Sequence, residues 1–294
     1  MKAKAGRDDA TIHREEGFVR TPDGLDLFWR SWIPAAAPKG VLLFVHGLGE
    51  HSGRYGNPVA HFAPRGWVCY AFDYRGHGKS PGGRVHVNAF DEYLSDLSTV
   101  HGLVRDRQRG RPVFVVGHSQ GGLITLRYAI RHPRDLPGVV VSSPFLGVAP
   151  AARPSAALKA VAAVLSRVAP TIKFPNGVDP KLICRDKAVV DAYVNDPLVS
   201  NKVSARWFTE ALGALDRAHA EAGMLRVPAL VMQAGADGLV DPEATREWVS
   251  RAPERFVEYV GWEGLYHELF NEPERERVFE RMDRWLGERL GGKN

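Results

Sequence analysis

The sequence alternates short, continuous apolar runs with longer segments of helical periodicity. The apolar runs occupy residues 41–47, 67–74, 113–119, 138–143, 229–235 and 256–261. Helical patterns cover residues 90–107, 120–132, 243–252 and 274–290. Apolar runs of this length are typical of strands buried on both faces. Their alternation with helices predicts an α/β fold with a mostly parallel sheet, flanked by helices on both sides.

A turn signal near the amino terminus predicts one hairpin. The stretches EGFVR and LDLFWRSW, within residues 16–33, flank the tetrapeptide Thr21-Pro22-Asp23-Gly24. A proline followed by Asp-Gly favours a tight turn between two strands. We therefore expect two paired strands ahead of the first apolar run.

One interval interrupts the alternation. Residues 145–226 contain alanine-rich and polar helical stretches and no strong strand signal. Six prolines break the interval, namely Pro150, Pro154, Pro170, Pro175, Pro180 and Pro197. An insertion this long between two strands exceeds the usual length of a loop. The sequence predicts a helical cap over 145–226, with residues 1–144 and 227–294 forming the core domain.

The composition is that of an ordinary globular protein. Of 294 residues, 44% are hydrophobic and 25% charged, which is enough for a large core without disulfides. Only two cysteines, Cys69 and Cys184, are present, and this favours a reducing compartment. The formal net charge of +5 mildly favours anionic surfaces. The cations are scattered and match no nucleic-acid-binding motif, so we expect no nucleic-acid partner.

The sequence shows no targeting or membrane-spanning signal. The amino-terminal stretch MKAKAGRDDATIHREEG is basic but lacks the apolar region of a secretory signal. No run approaches the roughly 18–20 apolar residues of a membrane-spanning helix. We therefore expect a cytoplasmic protein, for which peripheral contact with a membrane stays open.

A serine lies at the junction between a predicted strand and a predicted helix. The sequence Gly117-His118-Ser119-Gln120-Gly121 matches the G-x-S-x-G pattern. A tight structural turn is one interpretation. The favoured one is a nucleophile, because small residues on both sides let the strand turn sharply and project the serine oxygen from the carboxyl end of the sheet.

A serine nucleophile needs a histidine base and a carboxylate that orients it. In this kind of fold the chain order is serine, acid, histidine, which leaves His132, His219 and His267. His132 ends the helix after Ser119, and His219 lies in the predicted cap. His267 follows the last predicted strand, so we predict that it is the base.

Two aspartates compete for the role of the acid. Asp237 comes directly after the strand at 229–235, and Asp241 lies four residues further on. Asp241 precedes Pro242 and has the position of a helix N-cap. We therefore predict that Asp237 orients His267 and that Asp241 is structural.

Acyl transfer also needs donors for the developing oxyanion. The predicted donors are two backbone N–H groups. One belongs to Gln120, after the predicted nucleophile, and the other to Leu48, in the loop after the first apolar run.

His46 in that loop could be a base or a metal ligand. Bracing of the loop is favoured, because no cluster of metal ligands accompanies it. No metal or organic cofactor is expected.

Several longer stretches resemble one known family. They are HGLGEHSGRY (46–55), DYRGHGKSPG (73–82), GHSQGG (117–122), DAYVNDPL (191–198), QAGADGLVD (233–241) and YHELFNEPE (266–274). Over roughly residues 16–288 the chain resembles the monoacylglycerol lipase and lysophospholipase branch of the α/β-hydrolases, which is grouped with the serine aminopeptidase-like hydrolases. The resemblance implies the α/β-hydrolase fold, with a mostly parallel eight-stranded sheet and an inserted cap. It also implies the same triad and oxyanion donors.

The resemblance further implies a place for the glycerol end of a substrate, near Glu50, Arg54 and Tyr193. The spacing of Glu50 and Arg54 is equally that of a structural ion pair, and Tyr193 reaches the site only if the cap folds over it. The third residue after the predicted base is polar in the mammalian enzyme of this family and is Phe270 here. This change removes a hydrogen bond to the glycerol hydroxyls and predicts a less strict specificity for monoacylglycerols.

The predicted cap contains an apolar stripe bordered by basic residues. The stripe comprises Leu158, Val161, Leu165 and Val168, and the basic residues are Lys159, Arg167 and Lys173. Packing of this stripe on the main domain is the favoured interpretation. The alternative is a lid that faces lipid, with the basic residues at the headgroups. Members of the resembled family are thought to use such caps to contact membranes and admit acyl chains.

Together these features predict a serine esterase that acts on lipid esters through an acyl-enzyme at Ser119. Monoacylglycerols, cleaved to fatty acid and glycerol, are the first expectation. The alternatives with the same triad are a lysophospholipase and a broad short-chain carboxylesterase. The alternative outside catalysis is a ligand-binding protein on the same fold. The sequence leaves the oligomeric state open.

Overall fold

The computed structural model describes residues 12–291, so most of the amino-terminal stretch without a predicted signal lies outside the described residues. The strands are β1 (Ile12–Arg20), β2 (Asp26–Pro34), β3 (Gly40–Val45), β4 (Trp67–Phe72), β5 (Val113–His118), β6 (Val139–Ser142), β7 (Lys173–Pro175), β8 (Lys202–Ser204), β9 (Ala229–Ala234) and β10 (Val257–Trp262). The α-helices are α1 (Gly56–Phe62), α2 (Asp91–Arg107), α3 (Gln120–Arg131), α4 (Ala156–Val168), α5 (Lys187–Asn195), α6 (Ala205–Glu221), α7 (Pro242–Arg251) and α8 (Arg275–Gly291).

Eight strands form one sheet in the order β1-β2-β4-β3-β5-β6-β9-β10. The strands from β4 to β10 in this order pair in parallel, and β2 pairs antiparallel with both of its neighbours. The predicted hairpin is thus present as β1 and β2, with its turn at 21–25. The predicted α/β-hydrolase fold, with its mostly parallel eight-stranded sheet, is confirmed.

The two faces of the sheet support separate hydrophobic clusters. On β3, Val41, Leu43 and Val45 belong to one cluster, whereas Leu42 and Phe44 belong to the other. Helices α2, α3 and α6 contribute to the first cluster, and α1 and α8 to the second. Because side chains alternate between the faces of a strand, the continuous apolar runs serve both clusters.

The interval 145–226 carries α4, α5 and α6, as the sequence predicts for a cap. It also contains the two short strands β7 and β8, which pair antiparallel. Each has only three residues and β7 includes Lys173 and Pro175, so neither shows the apolar run that marks a strand. Helix α6 buries Ala211, Ala214 and Ala218 in the first core cluster. The exact division between core and cap stays a prediction.

The orientation of α4 differs from the favoured interpretation of its apolar stripe. Leu158, Val161 and Val168 are 46%, 54% and 73% exposed, so packing of the stripe on the main domain is wrong. An adjoining face is buried instead, with Ala162 and Ser166 against α6. Small residues allow two helices to approach closely, and this decides which face of α4 packs. None of the described helices is both long and apolar enough to cross a membrane.

Candidate active site

Ser119 occupies a strained turn between β5 and α3. Its backbone has φ of 52° and ψ of −118°, a conformation that costs a non-glycine residue about 1–3 kcal/mol. The Ser119 N–H donates to Ser142 O at 3.0 Å, and the Ser119 carbonyl accepts from the Phe145 N–H at 2.9 Å. These bonds hold the turn, which places the serine at the carboxyl edge of the sheet.

The glycines around Ser119 are required by close backbone contacts. A Cβ on Gly117 would lie 2.3 Å from the carbonyl oxygen of Gly121, and a Cβ on Gly121 would lie 2.1 Å from that of Val45. Either distance is shorter than any ordinary contact. Helix α3 can therefore begin directly after Ser119 and pack on the end of β3 only with glycine at both positions.

His267 and Asp237 form a buried hydrogen-bonded pair. His267 Nδ1 lies 2.8 Å from Asp237 Oδ2. Asp237 Oδ2 also accepts from Gln233 Nε2 at 3.2 Å, and its Oδ1 accepts from the N–H groups of Leu239 and Val240 at 3.0 Å each. A carboxylate held in this way keeps the proton of the imidazole on Nδ1 and leaves Nε2 as the nitrogen that can accept another.

Ser119 and His267 line the same cavity. The other candidate residues do not belong to this pair. Asp241 caps α7 by accepting from the Glu243 N–H at 3.0 Å and pairs with Arg153 at 2.7 Å, which agrees with a structural role. His132 stacks on Tyr128 at the end of α3. His219 Nε2 bonds to the carbonyl of Leu146.

The predicted oxyanion loop is braced from three sides. The Gly47 N–H donates to Glu50 Oε1 at 2.6 Å, and Tyr74 OH donates to the Gly47 carbonyl at 2.7 Å. His46 Nδ1 lies 2.8 Å from the same carbonyl and its ring stacks on Tyr74, which agrees with bracing. Burial lowers the pKa of His46, so its ring is neutral near pH 7.

The backbone N–H groups of Leu48 and Gln120 are available for a ligand. Among residues 12–291, neither group donates to a carbonyl or a side chain. Both residues line the cavity together with Ser119. Two free N–H groups beside a serine oxygen are what an oxyanion hole requires.

A buried ionic cluster lines the cavity together with Ser119. Arg54 Nη1 lies 2.5 Å from Glu50 Oε2, and the Arg54 guanidinium makes two bonds of 2.7 and 2.8 Å to Glu268. The Tyr193 ring lies 4.8 Å from the guanidinium carbon. Helix α5, from the interval 145–226, thus places Tyr193 against this arginine. We refer to Glu50, Arg54 and Glu268 as the ionic corner.

The charges of the ionic corner shift the pKa values of its neighbours. Burial by itself would raise the pKa of Glu50. The positive charge of Arg54 has the larger effect and lowers this pKa to about 2. Burial alone would lower the pKa of His267. The charge and hydrogen bond of Asp237, with Glu268 and Glu50 adding to them, raise it above its ordinary value. Burial and the proximity of His267 lower the pKa of His118 to about 4.

Sequence reasoning missed Glu268. Its side chain is almost fully buried and pairs with a residue 214 positions away. The sequence offered one local indication of a buried charge. Glu268 is a carboxylate that directly follows the predicted base and precedes the apolar pair Leu269-Phe270.

The cavity has a volume of about 370 Å³ and a mostly apolar lining. The apolar lining residues include Leu48, Phe145, Val148, Leu158, Phe174, Ile183, Val203, Trp207, Phe208, Leu212, Leu239 and Val240. The polar lining residues include the ionic corner, Ser119, Tyr193 and His267. Within residues 12–291 no group of three or more His, Cys, Asp or Glu is arranged to hold a metal.

Phe270 does not line this cavity. Its ring packs against Phe279 in the second core cluster, with ring centroids 5.8 Å apart. It borders only a void of about 10 Å³ behind the ionic corner. A role for Phe270 in substrate binding stays a prediction, and the structure places its ring in the second core cluster rather than on the cavity wall.

A pH prediction follows from the charges around His267. A general base must be neutral, so with His267 as the predicted base we expect kcat/KM to fall as the pH drops through the pKa of His267, which lies above the ordinary histidine value. The variant Glu268→Gln removes one negative charge and keeps an oxygen for Arg54. We expect the acid limb of kcat/KM to move to lower pH. Glu274→Gln, an exposed control on the same segment, should leave the limb in place, and an unmoved limb in Glu268→Gln would contradict the electrostatic account.

Comparisons with known proteins point to one family. A family model described as serine aminopeptidase, S33, matches residues 36–274. A monoacylglycerol lipase of Mycolicibacterium smegmatis is 35% identical over 90% of this chain and 93% of its own length. The phospholipase YtpA of Bacillus subtilis is 36% identical over 83% of this chain and 94% of its own. The crystal structure of Paleococcus ferrophilus monoacylglycerol lipase superimposes with a TM-score of 0.79 at 33% identity, covering 95% of this chain and 99% of that one.

The family model spans most of the chain, and its span includes Ser119, Asp237 and His267. The relatives match nearly their whole length. The chain is an α/β-hydrolase that belongs to the serine aminopeptidase S33 family of serine hydrolases.

Proposed function

We propose that the protein hydrolyses monoacylglycerols to fatty acid and glycerol through an acyl-enzyme at Ser119. One observation carries the proposal: the Ser119 and His267 pair opens into a single cavity of about 370 Å³ that joins an apolar lining to the ionic corner. An acyl chain fits the apolar lining and a small polyol fits the ionic corner.

The mechanism proceeds in two acyl-transfer steps. Ser119 Oγ attacks the ester carbonyl while His267 Nε2 takes its proton, and Asp237 stabilises the imidazolium that forms. The N–H groups of Leu48 and Gln120 stabilise the negative charge that develops on the carbonyl oxygen. His267 then protonates the leaving glycerol oxygen. Water, activated by His267, attacks the acyl-enzyme and releases the fatty acid and free Ser119.

The ionic corner favours an uncharged leaving group. The charge of Arg54 is compensated by two carboxylates within 2.8 Å, so the corner carries a net negative charge. A phosphate placed there would meet Glu50 and Glu268 rather than an unpaired guanidinium. Glycerol hydroxyls, in contrast, can donate to carboxylate oxygens.

A matched pair of substrates tests this proposal. The compounds are 1-lauroylglycerol and 1-lauroyl lysophosphatidic acid, which differ by the phosphate alone. We expect kcat/KM for the monoacylglycerol to be at least about tenfold higher, since tenfold corresponds to about 1.4 kcal/mol. A preference for the phosphate-bearing lipid would contradict the proposal. It would favour the alternative of a lysophospholipase, to which the similarity with the Bacillus subtilis phospholipase points.

We further propose that the cap contacts a lipid surface through α4. The exposed large apolar residues of this region are Leu158, Val161, Val164, Val168 and Ile172. Lys159, Arg167 and Lys173 lie among them and can meet anionic headgroups. Leu158 also lines the cavity, so the surface that would face lipid adjoins the space that would hold the acyl chain.

Charge substitution on α4 tests the membrane contact. We expect the double variant Val161→Asp, Val168→Asp to lower binding to phosphatidylglycerol-containing vesicles by about tenfold or more, because two apolar side chains leave the lipid. Hydrolysis of soluble p-nitrophenyl butyrate should be unchanged. Met224→Asp alters an equally exposed apolar residue outside α4 and serves as the control. Equal vesicle binding by the double variant and the control would contradict the contact.

A further inference from the structure

A buried chain of hydrogen bonds connects the cap helix α6 to the loop that carries Leu48. Trp207 Nε1 donates to Gln120 Oε1 at 3.0 Å. Gln120 Nε2 donates to Tyr74 OH at 3.1 Å. Tyr74 OH donates to the carbonyl of Gly47 at 2.7 Å. Residues distant in sequence are thus joined by three consecutive bonds.

The direction of every bond in the chain follows from chemistry. An indole N–H can only donate, so the amide oxygen of Gln120 must face Trp207. The amide NH₂ of Gln120 then faces Tyr74 and donates to its hydroxyl oxygen. A carbonyl can only accept, so the hydroxyl proton of Tyr74 points at Gly47. All donors therefore point from α6 toward the oxyanion loop.

The last acceptor controls the orientation of an oxyanion donor. The Gly47 carbonyl and the Leu48 N–H belong to the same peptide unit, which is planar and trans, so the N–H points opposite to the carbonyl. By donating to this carbonyl, which His46 Nδ1 also contacts at 2.8 Å, Tyr74 helps to fix the direction of the Leu48 N–H. Hydrogen bonds in series polarise one another, and donation to the carbonyl therefore also makes this N–H a stronger donor.

Burial makes the chain difficult to replace by water. Tyr74 and Gln120 are fully buried, and Trp207 is 4% exposed. A buried polar group that loses its partner costs about 1–3 kcal/mol, which favours an arrangement in which all three bonds are formed together. A second contact supports the coupling, since the Ser200 N–H from the cap donates to the Gly49 carbonyl at 2.7 Å.

We propose that Tyr74, Gln120 and Trp207 are positioning residues. Through them the position of α6 determines the orientation of the Leu48 N–H in the oxyanion hole. The proposal rests on the proposed ester hydrolysis and deepens it. Gln120 then acts twice: its backbone N–H is one donor, and its side chain aims the other through Tyr74. The cap would influence kcat as well as substrate entry.

Removal of one hydroxyl tests the proposal. Tyr74→Phe deletes the hydroxyl donor to the Gly47 carbonyl, leaves the His46 Nδ1 contact with that carbonyl in place, and keeps the ring. We expect kcat for p-nitrophenyl butyrate to fall roughly tenfold to a hundredfold with KM changed less than about threefold, because the oxyanion contact is made mainly in the transition state. Gln120→Met, which is apolar and of similar length, should lower kcat likewise. The double variant Tyr74→Phe, Gln120→Met should be about as active as Tyr74→Phe alone, since both changes interrupt the same series of hydrogen bonds.

Tyr70→Phe is the matched control. The Tyr70 hydroxyl is also fully buried and accepts from Gln108 Nε2 at 3.2 Å, apart from the chain. This variant should lose thermal stability but keep kcat within about twofold. A Tyr74→Phe enzyme that behaves like Tyr70→Phe would overturn the inference.

A replacement variant and the wild-type activity make the result interpretable in every case. If Gln120→Met does not fold, Trp207→Phe takes its place in the double-variant comparison with Tyr74→Phe. Absence of ester hydrolysis in the wild-type protein would overturn the proposed function, whereas normal wild-type turnover with an unaffected Tyr74→Phe would overturn the positioning role alone.

Discussion

Replacement of Ser119 by alanine is expected to lower kcat for monoacylglycerol hydrolysis by about 10⁴-fold or more. In the proposed mechanism the serine oxygen forms the bond to the acyl carbon, and no other hydroxyl occupies the turn between β5 and α3. The fold should persist, because the strained backbone is held by bonds from its N–H and carbonyl to Ser142 and Phe145 rather than by the side chain. Steady-state kinetics and the thermal unfolding midpoint together measure both parts of the prediction.

Ser142→Ala provides the comparison for this variant. Ser142 is fully buried on the neighbouring strand, and within residues 12–291 its Oγ has no hydrogen-bond partner. Loss of this hydroxyl should leave kcat within about twofold of the wild-type value, since no hydrogen bond is broken. Equal activity of Ser119→Ala and Ser142→Ala would remove the basis for nucleophilic catalysis at Ser119.

Asp237→Asn should have the second largest effect, a loss in kcat of about 10³- to 10⁴-fold. Asparagine keeps an oxygen for the N–H groups of Leu239 and Val240 but places an NH₂ group opposite His267 Nδ1. His267 Nδ1 must then accept, which moves the ring proton to Nε2. An imidazole with its proton on Nε2 cannot take the proton of Ser119. The affinity for substrate should change little, because Asp237 lies behind His267.

Asp241→Asn separates the acid from its neighbour. Asparagine caps a helix as well as aspartate does, so α7 should persist and only the 2.7 Å ion pair with the exposed Arg153 is lost. We expect kcat within about threefold of the wild type. A severe loss in Asp241→Asn with a mild one in Asp237→Asn would reverse the assignment.

The sheet and the positions of Ser119, Asp237 and His267 near its edge were predictable from local sequence. Strands buried on both faces appear as continuous apolar runs, and Ser119 and Asp237 each follow such a run directly. The carboxyl ends of parallel strands meet at one edge, so residues far apart in sequence are brought together there. His267 could be selected by chain order, because the other histidines after Ser119 had evident structural positions.

The ionic corner and the orientation of α4 were not predictable in the same way. The bonds between Arg54 and Glu268 join residues that no periodicity relates. The apolar stripe of α4 shows which face is hydrophobic, but not that the small residues Ala162 and Ser166 pack on α6. The chain through Gln120 depends on Trp207, whose approach is set by the packing of α6 against α3.

Covalent labelling tests the central claim most directly. The wild-type protein would be treated with a fluorophosphonate, which reacts with activated serines, and its peptides analysed by mass spectrometry. The account predicts one adduct per chain, on the peptide that contains Ser119, in parallel with loss of ester hydrolysis. An unlabelled Ser119, or an adduct on another residue with hydrolysis abolished, would contradict nucleophilic catalysis at this serine.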